Sequence, residues 1–149
     1  MSDNYSKCDV GFVGLGVMGK NLVLNLADNG FKVAAFDLEL EKIDAVMEQE
    51  LLESDNEQAR VVGCSSYTEL LANLKSPHLI ILSVPAGSPV DQVCQSLIAA
   101  GIHGDDIVID TGNSLWTDTV ERERQYKDNF IFFSSAVSGG EVGARFGPA

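Results

Sequence analysis

The sequence predicts an α/β fold: a doubly wound, mostly parallel sheet with helices on both faces. Three observations carry that expectation. Short apolar runs alternate with segments of helical periodicity along most of the chain, and strands separated by helices are joined by right-handed crossovers. One run, His78 to Val84, keeps its apolar residues together instead of alternating them with polar ones, as a strand buried on both faces requires. Glycines also cluster at the junction of the first apolar run and the first helical segment.

Val10 to Val13 is the first expected strand, and Val17 to Asn29 the first helix, stopped by Gly30 in a left-handed conformation. Lys32 to Phe36 is the second strand, Glu39 to Glu53 the second helix, and Arg60 to Cys64 a short third strand. A helix near Tyr67 to Leu74 precedes the buried strand at His78 to Val84. Ser88-Pro89 then opens a helix well, because serine caps free N–H groups and proline at the first helical position loses no hydrogen bond. Behind that pair, Val90, Val93, Leu97 and Ile98 fall on one face at helical spacing. Asp106 to Asp110 is the fifth strand, Ser114 to Asp128 a helix, and Phe130 to Phe133 the sixth strand. After it, the glycine-rich stretch Val137 to Ala149 shows no further element, which suggests a piece of a longer polypeptide.

Composition narrows the function. The chain has 149 residues, 45% of them hydrophobic and 21% charged, ordinary values for a globular domain with a core of its own. A net charge of −12 argues against nucleic acid as a partner, since that needs clustered lysine and arginine. The longest apolar stretch, Leu79 to Leu82, is far short of the roughly 20 residues that span a bilayer, so neither a membrane partner nor a secretory signal is expected. A cytoplasmic protein is the default. Cys8, Cys64 and Cys94 are far apart with no CxxC spacing, so no metal site or disulfide framework is expected. His78 and His103 stand alone and receive no role. Between Asp37 and Glu57 lie nine carboxylates against one cation, Lys42, most of them read as a solvated helix face.

Gly14, Gly16 and Gly19 form GxGxxG directly between the first strand and the first helix. Alone the pattern is weak; with strand and helix flanking it, it reads as a dinucleotide-binding turn of Rossmann type. Gly14 permits the tight turn, Gly16 lets a pyrophosphate approach the backbone, and Gly19 lets the helix pack on the sheet. The helix N-terminus offers free N–H groups to phosphate, so Leu15, Val17 and Met18 belong to the cofactor-binding set. Asp37 ends the second strand, 18 residues after Gly19, where a carboxylate accepts the ribose hydroxyls of NAD. It is also placed to cap the following helix, and both roles can hold together.

The run GFVGLGVMGKNLVLNLADNGFKVAAFD, Gly11 to Asp37, resembles the opening of 6-phosphogluconate dehydrogenases and also suits the related 3-hydroxyacid dehydrogenases. Later motifs discriminate. Asp110 to Ser114, DTGNS, is similar to the D-x-G-N-S of the sugar-acid family. SGGEVGARFGP, Ser138 to Pro148, is closer to its SGGEEGARYGP than to the SGG-x-x-GA of the hydroxyacid enzymes. The resemblance runs from Asp9 onward. It implies oxidation of 6-phosphogluconate at C3 with hydride transfer to a nicotinamide, then decarboxylation to ribulose 5-phosphate. It implies that Asn113 touches both nicotinamide and substrate, that Ser138, Gly139 and Gly140 bind the substrate carboxylate, and that Val84, Pro85 and Ala86 line the cofactor cleft. Read without the family, Asn113-Ser114 could be a strand-to-helix turn with a serine cap.

Members using NADP carry N-R-T after the second strand, where this chain has Asp37, Leu38 and Glu39, so NAD is the expected cofactor with NADP possible. Val84-Pro85-Ala86 stands where the family has V-K-A, and Glu141-Val142 replaces a paired E-E. The family's catalytic lysine and its partner glutamate lie beyond Pro148, in a helical C-terminal domain that this chain lacks. No catalytic residue is therefore expected within the chain, which should be inactive alone. The full-length protein is expected to be a homodimer. Two other functions remain open: another 3-hydroxyacid dehydrogenase, or a non-catalytic dinucleotide-binding module.

Overall fold

The computed structural model describes residues 7–53 and 59–147; Glu57, Pro148 and Ala149, named above, lie outside them. The elements run β1 (Val10–Val13), α1 (Val17–Asp28), β2 (Val33–Phe36), α2 (Leu40–Glu53), β3 (Val61–Gly63) and α3 (Tyr67–Ala72). The second half continues with β4 (Leu79–Leu82), α4 (Ser88–Ala100), β5 (Ile107–Asp110), α5 (Trp116–Tyr126), β6 (Ile131–Ser134) and α6 (Gly140–Phe146). Every strand pairing is parallel, in the order β3-β2-β1-β4-β5-β6, which is the doubly wound arrangement expected. Apart from α6, each boundary falls within two residues of its expected place.

Local chemistry explains most boundaries. α1 stops where Gly30 adopts φ +95°; its N–H reaches Ala27 O and that of Phe31 reaches Leu26 O, each at 3.1 Å. α4 departs from expectation. Gly87, not Ser88, occupies the cap, with φ +96°, and Ser88 is the first helical residue without a capping bond. The core is continuous between sheet and helices, with Phe12, Val33, Ile80, Leu82, Val90, Leu97, Val108 and Phe130 fully buried.

β4 is buried on one face only. Ile80 and Leu82 are covered, whereas Leu79 and Ile81 are half-buried. The register puts Leu79 beside Ile107 and Ile131, and Ile81 beside Ile109 and Phe133. Exposure on that face rises towards the β6 edge, to 49% at Ile131 and 44% at Phe133.

The stretch after β6 is not structureless. α6 packs along α1, where Asn25 Nδ2 donates to Ala144 O at 3.2 Å. Arg145 is buried there against Asp28, with Glu53 of α2 at 3.3 Å. A seven-residue helix held by a buried arginine carries no apolar periodicity, so sequence pattern could not show it.

Two further expectations change. Glu50 is no solvated side chain: 3% exposed, it accepts the N–H groups of Arg60 and Val61 and ties α2 to the start of β3. The two histidines are not isolated either. Asp106 accepts the His78 and His103 backbone N–H groups and lies 2.8 Å from His78 Nδ1. These bonds outweigh burial and hold its carboxyl below the ordinary value. The knot joins the starts of β4 and β5, away from the glycine turn.

Candidate functional site

Strand order reverses between β1 and β4, so the loops leaving their C-terminal ends part and open a crevice. Ser83 N–H donates to Val13 O at 2.8 Å and keeps the two chains close until that point. Gly14 has φ +100°, and a Cβ there would stand 2.1 Å from the Ser83 carbonyl oxygen. A Cβ on Gly19 would stand 1.9 Å from the Gly14 oxygen. The fold itself demands both glycines. Gly16 differs: its φ is −66°, open to any residue, and a Cβ would meet nothing within 4 Å. The space beside it belongs to two clefts that share Gly16, Ser83 and Val84.

The larger cleft, about 490 Å³, lies on the β2 side. Asp37, Leu38, Glu39 and Lys42 form one wall; Pro85, Pro89 and Val93 form another. Asp37 Oδ2 accepts the N–H of Leu15 at 2.7 Å, and Oδ1 that of Glu39 at 2.8 Å, just ahead of α2. The carboxylate is thereby fixed at the mouth by a turn ahead of α2; among the described residues it accepts no N–H of the helix itself, so the capping role is not seen. Glu39 lies 3.4 Å from Lys42 Nζ, so that cation already has a carboxylate partner. Tyr67 closes the cleft, its ring 4.6 Å from that of Phe36. Burial, helped by the Asp37 charge, pushes its phenol above the ordinary value and keeps it a neutral hydroxyl.

The smaller cleft, about 400 Å³, lies on the β5 side, with Val17, Met18 and Leu22 of α1 facing Thr111, Gly112 and Asn113. Asn113 sits at the tip of a loop that its neighbours hold rigidly. Buried Asp110 accepts the Gly112 N–H at 3.0 Å and the Ser114 hydroxyl at 2.5 Å. Thr111 Oγ1 donates to Leu82 O at 2.6 Å. Ser114 is therefore no helix cap; it braces the loop, and α5 starts two residues later. Asp110 and Thr111 received no role of their own from the sequence, although D-x-G is the spacing at which an aspartate bonds the N–H two residues on.

Of the other expected residues, Leu15 is buried and takes part through its backbone, and Ala86 is exposed outside both clefts. Ser138, Gly139 and Gly140 are exposed at the start of α6; only Val137, just before them, lines the smaller cleft. No cysteine has a place here: all three thiols are buried, and burial pushes Cys64 and Cys94 up to about 12.

A parallel sheet with this order, a glycine turn at its switch point and clefts on both sides define a domain of the dinucleotide-binding class. Residues 9–149 match the family model described as the NAD binding domain of 6-phosphogluconate dehydrogenase, and the chain belongs to that family. It is 43% identical over 145 residues to the decarboxylating 6-phosphogluconate dehydrogenase of Ovis aries, covering 97% of this chain and 29% of that protein. It is 44% identical over 142 residues to the decarboxylating 6-phosphogluconate dehydrogenase 2 of Saccharomyces cerevisiae, covering 95% of this chain and 28% of the relative. Plasmodium falciparum 6-phosphogluconate dehydrogenase, solved in its apo form and in complex with its cofactor NADP+ and its substrate 6-phosphogluconate, superposes with a TM-score of 0.85 at 35% identity. That superposition covers 95% of this chain and 29% of the other. The chain thus spans less than a third of its relatives' length. A 3-hydroxyisobutyrate dehydrogenase of Mycobacterium tuberculosis, at 24% identity and TM-score 0.75 over 93% of this chain and 43% of that one, shares the fold.

Proposed function

We propose that this chain binds NAD across its two clefts and forms the cofactor-binding part of an enzyme that converts 6-phosphogluconate to ribulose 5-phosphate. The observation that carries the reading is Gly16. It is a glycine that neither backbone conformation nor packing requires, facing open space where the two clefts meet. That opening fits a pyrophosphate against bare backbone at the N-terminus of α1. The adenosine ribose would lie by Asp37 and the nicotinamide by Asn113.

What a nicotinamide supplies at such a site is a hydride acceptor for a carbinol carbon. This chain's residues do the holding. The Asn113 amide can donate to a substrate hydroxyl and accept from a carboxamide. Ser138, Gly139 and Gly140 would offer hydroxyl and N–H donors to the substrate carboxylate, without a competing charge. The base that takes the hydroxyl proton would come from polypeptide beyond this chain, so the chain alone should bind without turnover.

Preference for NAD over NADP follows from Asp37. A 2′-phosphate at ~5 Å from its carboxylate meets roughly 3 kcal/mol of repulsion per charge pair at an effective dielectric of 20. Half of that surviving screening is still about tenfold in affinity. Rotating Asp37 aside would break two hydrogen bonds, and Lys42 already faces Glu39. Calorimetric titration of the chain with each cofactor at fixed ionic strength tests the reading. NAD should bind at least tenfold more tightly; failure of both cofactors to bind refutes the function, and equal affinities refute the preference. The full-length protein would act in the cytoplasm as a homodimer.

A further inference from the structure

We propose that Arg122 is a positioning residue for dinucleotide binding, acting from behind the cleft on the β4–α4 connection whose Val84, Pro85 and Pro89 form its wall. The inference rests on the cofactor reading above. Arg122 stands on α5, 4% exposed. Its Nε and Nη2 fork onto the Asp91 carboxylate of α4, each at 3.1 Å, and Nη2 also donates to the Gly87 carbonyl at 2.9 Å. Gly87 joins β4 to α4, between Val84 and Pro85 on one side and Pro89 and Val93 on the other, all of which line the clefts. One side chain therefore fixes the wall to the helix whose leading loop carries Asn113.

Stability alone does not account for an arginine here. Its Nη1 is buried with no acceptor among the described residues, and an unmet donor on a buried cation is destabilising compared with a well-packed apolar side chain. What a guanidinium supplies that no apolar residue can is a planar fork that meets a helix carboxylate and a loop carbonyl at once. A lysine ends one bond short of the terminal guanidinium nitrogens, so its ammonium can keep the charge beside Asp91 without reaching the Gly87 carbonyl that Nη2 meets. Tyr126 also bonds Asp91, at 3.0 Å, whereas the Gly87 carbonyl is met by Arg122.

That difference gives the test. NADH affinity of the 149-residue chain is measured by nucleotide fluorescence, alongside the thermal midpoint, for the parent, Arg122→Lys, Arg122→Met and Tyr126→Phe. Arg122→Lys should keep a midpoint close to that of Tyr126→Phe yet bind NADH about tenfold more weakly, while Tyr126→Phe binds as the parent does. Affinity unchanged in a folded Arg122→Lys, or lost in step with the midpoint across all variants, overturns the proposal. A parent that binds no NADH overturns the cofactor reading and this inference with it. If neither arginine variant folds, amide hydrogen exchange of the parent decides. Saturating NADH should slow exchange at residues 84–91 and 118–126 together, and slowing confined to the first segment overturns the coupling.

Discussion

The N–H of Leu15 donates to Asp37 Oδ2 at 2.7 Å, so the carboxylate that ends β2 also shapes the glycine turn that ends β1. An asparagine can still accept one of the two backbone N–H groups, whereas an alanine accepts neither. Asp37→Asn with Leu38→Arg should therefore keep the turn, remove the negative charge and add a planar cation for a 2′-phosphate. The ratio of NADP to NAD affinity should rise by about tenfold or more in paired titrations. Asp37→Ala should weaken both dinucleotides together.

Gly16 and Gly19 should respond oppositely to one methyl group. Gly16→Ala places its Cβ in open space, so the thermal midpoint should stay close to the parent's while NAD affinity falls by about tenfold or more. Gly19→Ala drives a Cβ to 1.9 Å from the Gly14 oxygen and should be lost to misfolding or unfold several degrees lower. Calorimetry and thermal melts on both variants separate the two roles.

Asn113 is braced by neighbours that do not depend on its own side chain. In a full-length enzyme carrying this domain, Asn113→Ala should lower turnover at least about tenfold with the fold unchanged. Steady-state kinetics with 6-phosphogluconate read the effect; unaltered turnover and substrate affinity would return Asn113 to a turn residue.

Acid should loosen the α4–α5 contact. The Arg122 guanidinium beside Asp91, with the Tyr126 hydroxyl, holds that carboxyl below its ordinary 3.8. A depressed folded value means that the stabilisation is complete above the unfolded value and is lost as pH falls through the folded one. The midpoint should drop as pH falls below about 4. Asp91→Asn should start lower at neutral pH and fall less steeply over that acid range, as followed by circular dichroism.

The sheet and the glycine turn were legible because periodicity and φ requirements act on neighbouring residues. Elements whose partners are distant in sequence were not. α6 is held by Arg145 against Asp28 and Glu53, and nothing near residue 145 announces those partners. Glu50 looked like one more carboxylate of an acidic helix until β3 brought the Arg60 and Val61 N–H groups to it. At the site, Gly16, Asp37 and Asn113 were legible as short local motifs, and all three line the clefts. The bracing by Asp110, Ser114 and Arg122 was hidden. Hydrogen bonds to loop backbone leave little trace in composition, and the Arg122 to Gly87 contact joins residues 35 apart.

The three glycines of the turn bear on how this sequence can drift over generations. Two are enforced by folding: any chain that keeps this turn keeps Gly14 and Gly19, whether or not it still does anything. Gly16 has no such protection, since a Cβ there would meet nothing within 4 Å. A lineage released from selection for nucleotide binding would therefore lose its middle glycine first, through substitutions that leave the fold untouched. Nucleotide binding as proposed above, and not folding, is what would hold a glycine at this position.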